Sequence, residues 1–139
     1  MRLLTYNIRE GGVGRGGVLA TVVNHCAPDV VVLQEAIAPS VVEQLAAATG
    51  MTTWGAQPGQ SLAFMSRVPI EHHEWHRPVA SRRAFLEIVP AAGSLRIFGV
   101  HLSAVHSNWT ERRRGRELRA ILQGVARHKD DFHVIAGDF

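Results

Sequence analysis

The chain has 139 residues, 46% hydrophobic and 19% charged, with a net charge of +3. This excludes intrinsic disorder, a collagen-like repeat and a disulfide scaffold, and it suits one domain with a packed core better than two. No apolar run approaches the roughly 20 residues of a membrane span. The lone Cys26 cannot form an internal disulfide, which favours a reducing, cytoplasmic setting. Met1 leads straight into a strand-like run, so no secretory leader is expected. Fourteen of the fifteen basic residues are Arg, a side chain whose planar fork matches phosphate, so clustering matters more than the small net excess.

Leu3 to Ile8 reads as a buried strand, followed by a glycine-rich turn from Gly11 to Gly17. Val18 to His25 reads as a helix stopped by Pro28, with Cys26 packed on its face. Asp29 to Glu35 is β-branched and too short for a helix, hence a second buried strand. Pro39 opens a second helix with Val42, Leu45 and Ala46 on one face, closed by Gly50. Ser61–Ser66, Ile70–Trp75, Ala84–Val89 and Ser94–Leu102 are strand-like runs separated by proline and glycine turn signals, and together they predict an antiparallel meander. Thr110 to His128 is the longest helix, with Leu118, Ile121, Leu122 and Val125 on one face. His133 to Phe139 closes the chain as a strand. The order predicts a mixed α/β domain.

Four of these apolar strands end on a polar, chemically capable residue: Asn7, Glu35, His101 and Asp138. Ligands of sheet enzymes bind beyond the carboxyl ends of strands, where side chains leave the core. Amide and carboxylate oxygens suit a hard divalent cation, and imidazole and carboxylate can move protons. Spacing alone does not establish that the four converge, since an isolated strand-end carboxylate is usually a turn or cap residue.

Leu4-Thr5-Tyr6-Asn7-Ile8, Asp29-Val30-Val31-Val32-Leu33-Gln34-Glu35, Val100-His101-Leu102-Ser103 and Ile135-Ala136-Gly137-Asp138-Phe139 resemble four motifs of the endonuclease/exonuclease/phosphatase superfamily, in order. The resemblance implies a DNase I-like α/β/β/α sandwich of four layers, present over residues 1–139 as its N-terminal half with the C-terminal half absent. It implies hydrolysis of a phosphodiester or phosphomonoester with Mg²⁺ or Mn²⁺, the substrate being nucleic acid, a nucleotide, or a lipid or sugar phosphate, with no obligate protein partner. By the same resemblance Glu35 is the principal metal ligand and Asn7 assists it. His101 contacts phosphate, and Asp138 orients or deprotonates the attacking water. Arg112, shortly after the His-Leu pair, and Asn108 are candidates for binding substrate. The family's later motifs lie beyond Phe139, so the fragment is expected to be inactive alone. A non-catalytic phosphate- or metal-binding module is the alternative reading.

Two other signals compete. Gly12-Val13-Gly14-Arg15-Gly16-Gly17 fits the dinucleotide fingerprint, but its glycines begin several residues after the strand's apolar part, and Arg15 would sit inside the turn. A loop bordering a catalytic cleft is the plainer expectation. His72-His73-Glu74-Trp75-His76 invites a zinc reading, yet it falls in a strand, where exposed, unligated histidines are expected.

Overall fold

A computed structural model describes residues 1–79, 83–91, 95–102, 108–128 and 132–139, with side chains throughout except at 108–110 and 128. The elements are β1 (Leu3–Asn7), a 3₁₀ turn (Glu10–Gly12), α1 (Gly16–Cys26), β2 (Val30–Gln34), α2 (Pro39–Ala48), β3 (Thr53–Gly55), β4 (Leu62–Ser66), β5 (Ile70–His76), β6 (Phe85–Pro90), β7 (Leu95–His101), α3 (Asn108–Val125) running into a 3₁₀ turn (Ala126–His128), and β8 (Phe132–Asp138). They form two four-stranded sheets, ordered β1-β2-β4-β3 and β5-β6-β7-β8. β1 and β2 are parallel, as are β7 and β8, and the remaining pairs are antiparallel.

Four layers follow from which face each strand buries. Val31 and Leu33 of β2, with Ala63 and Met65 of β4, pack under Leu19 and Val23 of α1 and Val42 and Leu45 of α2. Their alternates, Val30, Val32, Leu62 and Phe64, face Leu86, Ile88 and Ile97 of the second sheet. Phe85, Phe98 and Val100, on that sheet's far side, lie under Ile121 and Val125 of α3. β2 is thus apolar without alternation because both its faces are covered. Val30, Val31, Val32 and Leu33 are all fully buried, each contributing about 2 kcal/mol of burial free energy. Gly99 of β7 faces the first sheet at close range, and a β-carbon there would sit 2.8 Å from Val32 Cγ1.

The α/β/β/α sandwich agrees with the expected fold, but the meander does not hold as drawn. β4 pairs with β2 in the first sheet, and only β5–β6–β7 form a meander in the second. The Ser66–Pro69 turn carries the chain across layers, and strand periodicity does not encode that choice of partner. β3 escaped the sequence reading because it is only three residues long. α1 begins at Gly16, inside the predicted turn, and Cys26 is exposed at its end rather than packed. The start of the glycine turn is anchored: Gly11 and Gly12 are buried, and Gly12, at φ +69°, lies against Leu19 and Ile8.

Candidate metal and phosphate site

Parallel pairing brings strand ends together. In the first sheet Asn7 is in register with Gln34, next to Glu35. In the second, His101 is in register with Asp138. Face-to-face packing then sets the two edges side by side. The Asn7 amide closes the seam, Nδ2 donating to Glu35 Oε1 at 2.9 Å and to Asp138 Oδ2 at 3.0 Å. Its Oδ1 accepts the Arg9 N–H at 2.9 Å, and Glu35 Oε2 accepts the Glu10 N–H at 2.8 Å.

The backbone around Glu35 is held in an unusual shape. Glu35, Arg9 and Glu10 have φ of 55°, 49° and 48°, a left-handed region that costs non-glycine residues on the order of 1 kcal/mol or more each. The Glu35 carbonyl offsets this by accepting the N–H groups of Gly11 and Ile37, both at 2.9 Å. The Arg15 guanidinium folds back to bond the carbonyls of Ile8 and Arg9. The residue that weakened the dinucleotide reading is therefore a brace for this turn.

Electrostatics favour an ionised Glu35. The Glu10 N–H and then the Asn7 amide hold its carboxyl below the ordinary value, against a smaller opposing effect of burial, with His101 and Arg9 adding positive potential. Burial pushes the His101 imidazole below its ordinary value, helped by the Arg83 charge and opposed by Asp138 and Glu35. His101 Nδ1 lies 3.2 Å from Ser61 Oγ, leaving Nε2 as the ring nitrogen that can bond a ligand.

Of the six residues singled out from sequence, Asn7, Glu35, His101 and Asp138 converge at this edge. Arg112 is exposed and lines an open groove made by α3's own Glu111, Gly115, Arg116 and Arg119. Its neighbour Arg113 is paired at 3.3 Å with the buried Glu117. The Asn108 side chain lies outside the described residues, as do residues 103–107. Sequence reasoning missed Ser61 and Arg83. Ser61 immediately precedes β4, the antiparallel partner of β2, and Arg83 lies two residues before β6, the antiparallel partner of β7. The start of an antiparallel strand shares the edge with its neighbour's end, and that signal was available in the sequence.

The donor set fits a hard dication. It consists of the carboxylate oxygens of Glu35 and Asp138, which the Asn7 amide nitrogen joins, and each Glu35 oxygen accepts one N–H, keeping lone-pair capacity for a cation.

No protein-family model matches the chain, and no curated protein matches it in sequence. Solved structures do. D. rerio TDP2 complexed with a single-strand DNA product is similar at a TM-score of 0.77 and 22% identity, over 99% of this chain and 60% of that one. An endonuclease/exonuclease/phosphatase from Beutenbergia cavernae gives 0.69 and 24%, over 88% of this chain and 43% of that one. The 3′ phosphatase NExo from Neisseria, bound to a product DNA hairpin, gives 0.70 and 18%, over 100% of this chain and 57% of that one. The chain spans about 60% or less of these relatives' lengths. With its layers, strand order and converging strand ends, it has a DNase I-like fold, over part of the length of the solved structures it matches.

Proposed function

We propose that this chain carries the cation- and phosphate-binding edge of a divalent-metal-dependent phosphoesterase, one that hydrolyses a phosphodiester or phosphomonoester by in-line attack of water. The observation that carries the reading is the Asn7 amide joined to two carboxylates from different sheets. Two carboxylates held near one another favour a dication beside them, and each keeps lone-pair capacity beyond its bond to Asn7.

Glu35 and Asp138 would hold Mg²⁺ or Mn²⁺, with Asn7 assisting by positioning both carboxylates. A cation bound there supplies Lewis-acid polarisation of a phosphoryl oxygen and neutralises developing charge. Asp138, fixed through one oxygen by Asn7, uses its other oxygen to orient the attacking water or accept its proton. His101, kept neutral near pH 7, hydrogen-bonds a non-bridging phosphate oxygen while Ser61 steadies its ring. Arg9 and Arg83 add positive potential toward the phosphate. Two of the similar structures hold DNA products by their descriptions, which makes a nucleic-acid phosphoester the first substrate to try, before nucleotide, lipid or sugar phosphates. The proposed compartment is the cytoplasm, on the strength of the lone Cys26. Among the described residues no helix is long and apolar enough to cross a membrane.

The test is Mn²⁺ binding, with Mg²⁺-dependent hydrolysis of a generic phosphodiester, in the chain and in Glu35→Gln. Glu35→Gln should weaken Mn²⁺ binding at least about tenfold and lower any hydrolysis at least about a hundredfold. Activity that survives both EDTA and this substitution overturns the mechanism. Glu35-dependent binding without turnover would support the non-catalytic module instead.

A further inference from the structure

β5 is an edge strand, and its side chains alternate between two faces. His73 turns inward, its ring 4.9 Å from that of Phe64. His72, Glu74 and His76 share the opposite face. Two histidines four residues apart would be neighbours on a helix. On this strand the pair is completed by the residue midway between them, and Glu74 lies directly across from Glu87 of β6.

The ligand atoms of His72, Glu74 and Glu87 all lie within 4.8 Å of one another. His72 Nε2 is 3.6 Å and His76 Nε2 3.9 Å from Glu74 Oε2, and His76 Nε2 is 2.6 Å from Glu87 Oε2. With metal–ligand bonds of about 2.0 Å, a tetrahedral ion sets its ligands a little over 3 Å apart, so small side-chain rotations would close this set around one ion. The other Glu87 oxygen is paired with the Arg96 guanidinium from β7, which orients the carboxylate as outer partners of metal ligands do. The His76 ring is stacked on Phe85 with centroids 4.8 Å apart. Two glutamates directly opposite each other on adjacent strands are unfavourable, and here one is 3% exposed and the other 57%. The buried carboxylate is thus fixed in place, while His72 and Glu74 remain open to an incoming ion.

We infer that His72, Glu74 and Glu87, joined by His76, bind a divalent transition-metal ion of the zinc class at a site on the outer face of the second sheet. The imidazoles select Zn²⁺ over Mg²⁺, whereas the carboxylate oxygens of Glu35 and Asp138 suit Mg²⁺ or Mn²⁺. The two sites therefore separate by ligand chemistry as well as by place.

The experiment titrates Zn²⁺ into the chain carrying Glu35→Gln, which disables the other site, by calorimetry in excess Mg²⁺, with Co²⁺ as a spectroscopic substitute. One equivalent of Zn²⁺ should bind, with tetrahedral Co²⁺ absorption. Adding His72→Ala, a change at an exposed side chain, should weaken binding at least about tenfold and leave the unfolding midpoint in place. Adding His76→Ala should remove the tetrahedral spectrum. The inference is overturned if no stoichiometric Zn²⁺ binds, or if binding persists unchanged through His72→Ala.

Discussion

Replacing Gly137 with alanine adds one methyl group at the point where β8 presses on β7. A β-carbon at residue 137 would fall on the Val100 carbonyl group, 2.8 Å from its carbon, and 2.9 Å from Val100 Cγ2, inside the 3.0 Å that real β-carbons respect. The obstacle is backbone, so no rotamer change relieves it, and the paired strands must separate around the Val100–Gly137 register. Losing about two ladder bonds at roughly 1 kcal/mol each, with an overpacking cost of about 1 kcal/mol or more, gives a destabilisation of about 3 kcal/mol. That is a large share of the roughly 5–15 kcal/mol by which domains are stable, and it corresponds to a melting point lower by about 10 °C. The next residue is Asp138, so Mn²⁺ affinity should fall as well. Urea unfolding with a parallel Mn²⁺ titration reads both effects. Gly115→Ala is the control: its surroundings are open, the nearest atom being Arg119 Nη2 at 3.9 Å, and as a helix-interior change it should stabilise by about 0.5–1 kcal/mol. If Gly137→Ala stays within ~0.5 kcal/mol of the parent and keeps its Mn²⁺ affinity, the close approach of β7 and β8 does not position Asp138.

The pH dependence has a definite sign. His101 is held below its ordinary 6.5, so the unfolded chain takes up the proton first. Its contribution is complete above 6.5 and is lost as pH falls below that value, and His73, lowered mainly by its own burial, adds in the same direction. Unfolding measured from about pH 8 to about pH 5 should show falling stability, with a shallower slope in His101→Gln; a slope of the opposite sign refutes this. Glu35, held below 4.5, contributes above that pH, so the stability difference between the chain and Glu35→Gln should shrink as pH drops through the acid range below 4.5. Ser61→Ala should slow any hydrolysis about tenfold through loss of one hydrogen bond to His101 and leave Mn²⁺ affinity intact; an equal loss of both would make Ser61 merely structural. Asn7→Asp puts a third carboxylate between two others and should cost about 1–3 kcal/mol without metal. Mn²⁺ should restore more melting temperature to this variant than to the parent, and an equal rise in both would count against a cation between these groups.

Much of the architecture was legible because burial writes itself into strands and helices. β2 reads as a continuous apolar run since it has a neighbour on each face, and α2 reads from its Pro39 start and its one apolar face. Partner choice is not written that way. β4 is an apolar run on both faces whether it pairs with β2 or β5, and only packing of the whole chain decides. The four strand-end residues were visible as exceptions to apolar runs, but their convergence depends on two parallel pairings and on one sheet facing the other. Ser61 and Arg83 do not stand out as strand-end exceptions, because antiparallel neighbours bring their beginnings, not their ends, to the same edge. The histidines from 72 to 76 read correctly as a strand, but one strand's sequence does not show that Glu87 of β6 lies opposite Glu74.

The Asn7 amide reaches from one sheet to the other, and among the described residues no backbone ladder joins those sheets. Besides the amide, the His101–Ser61 contact and the Trp75 indole bond to the Leu62 carbonyl span the gap. Around them, apolar side chains such as Val32, Phe64 and Ile88 fill the gap and set how the layers slide past each other. The spacing of Glu35 and Asp138 is thus a vernier reading of interior fit. Trimming Phe64 alters no charged group, yet the resulting slip would be measured at the rim, as a change in the size of ion the two carboxylates accept.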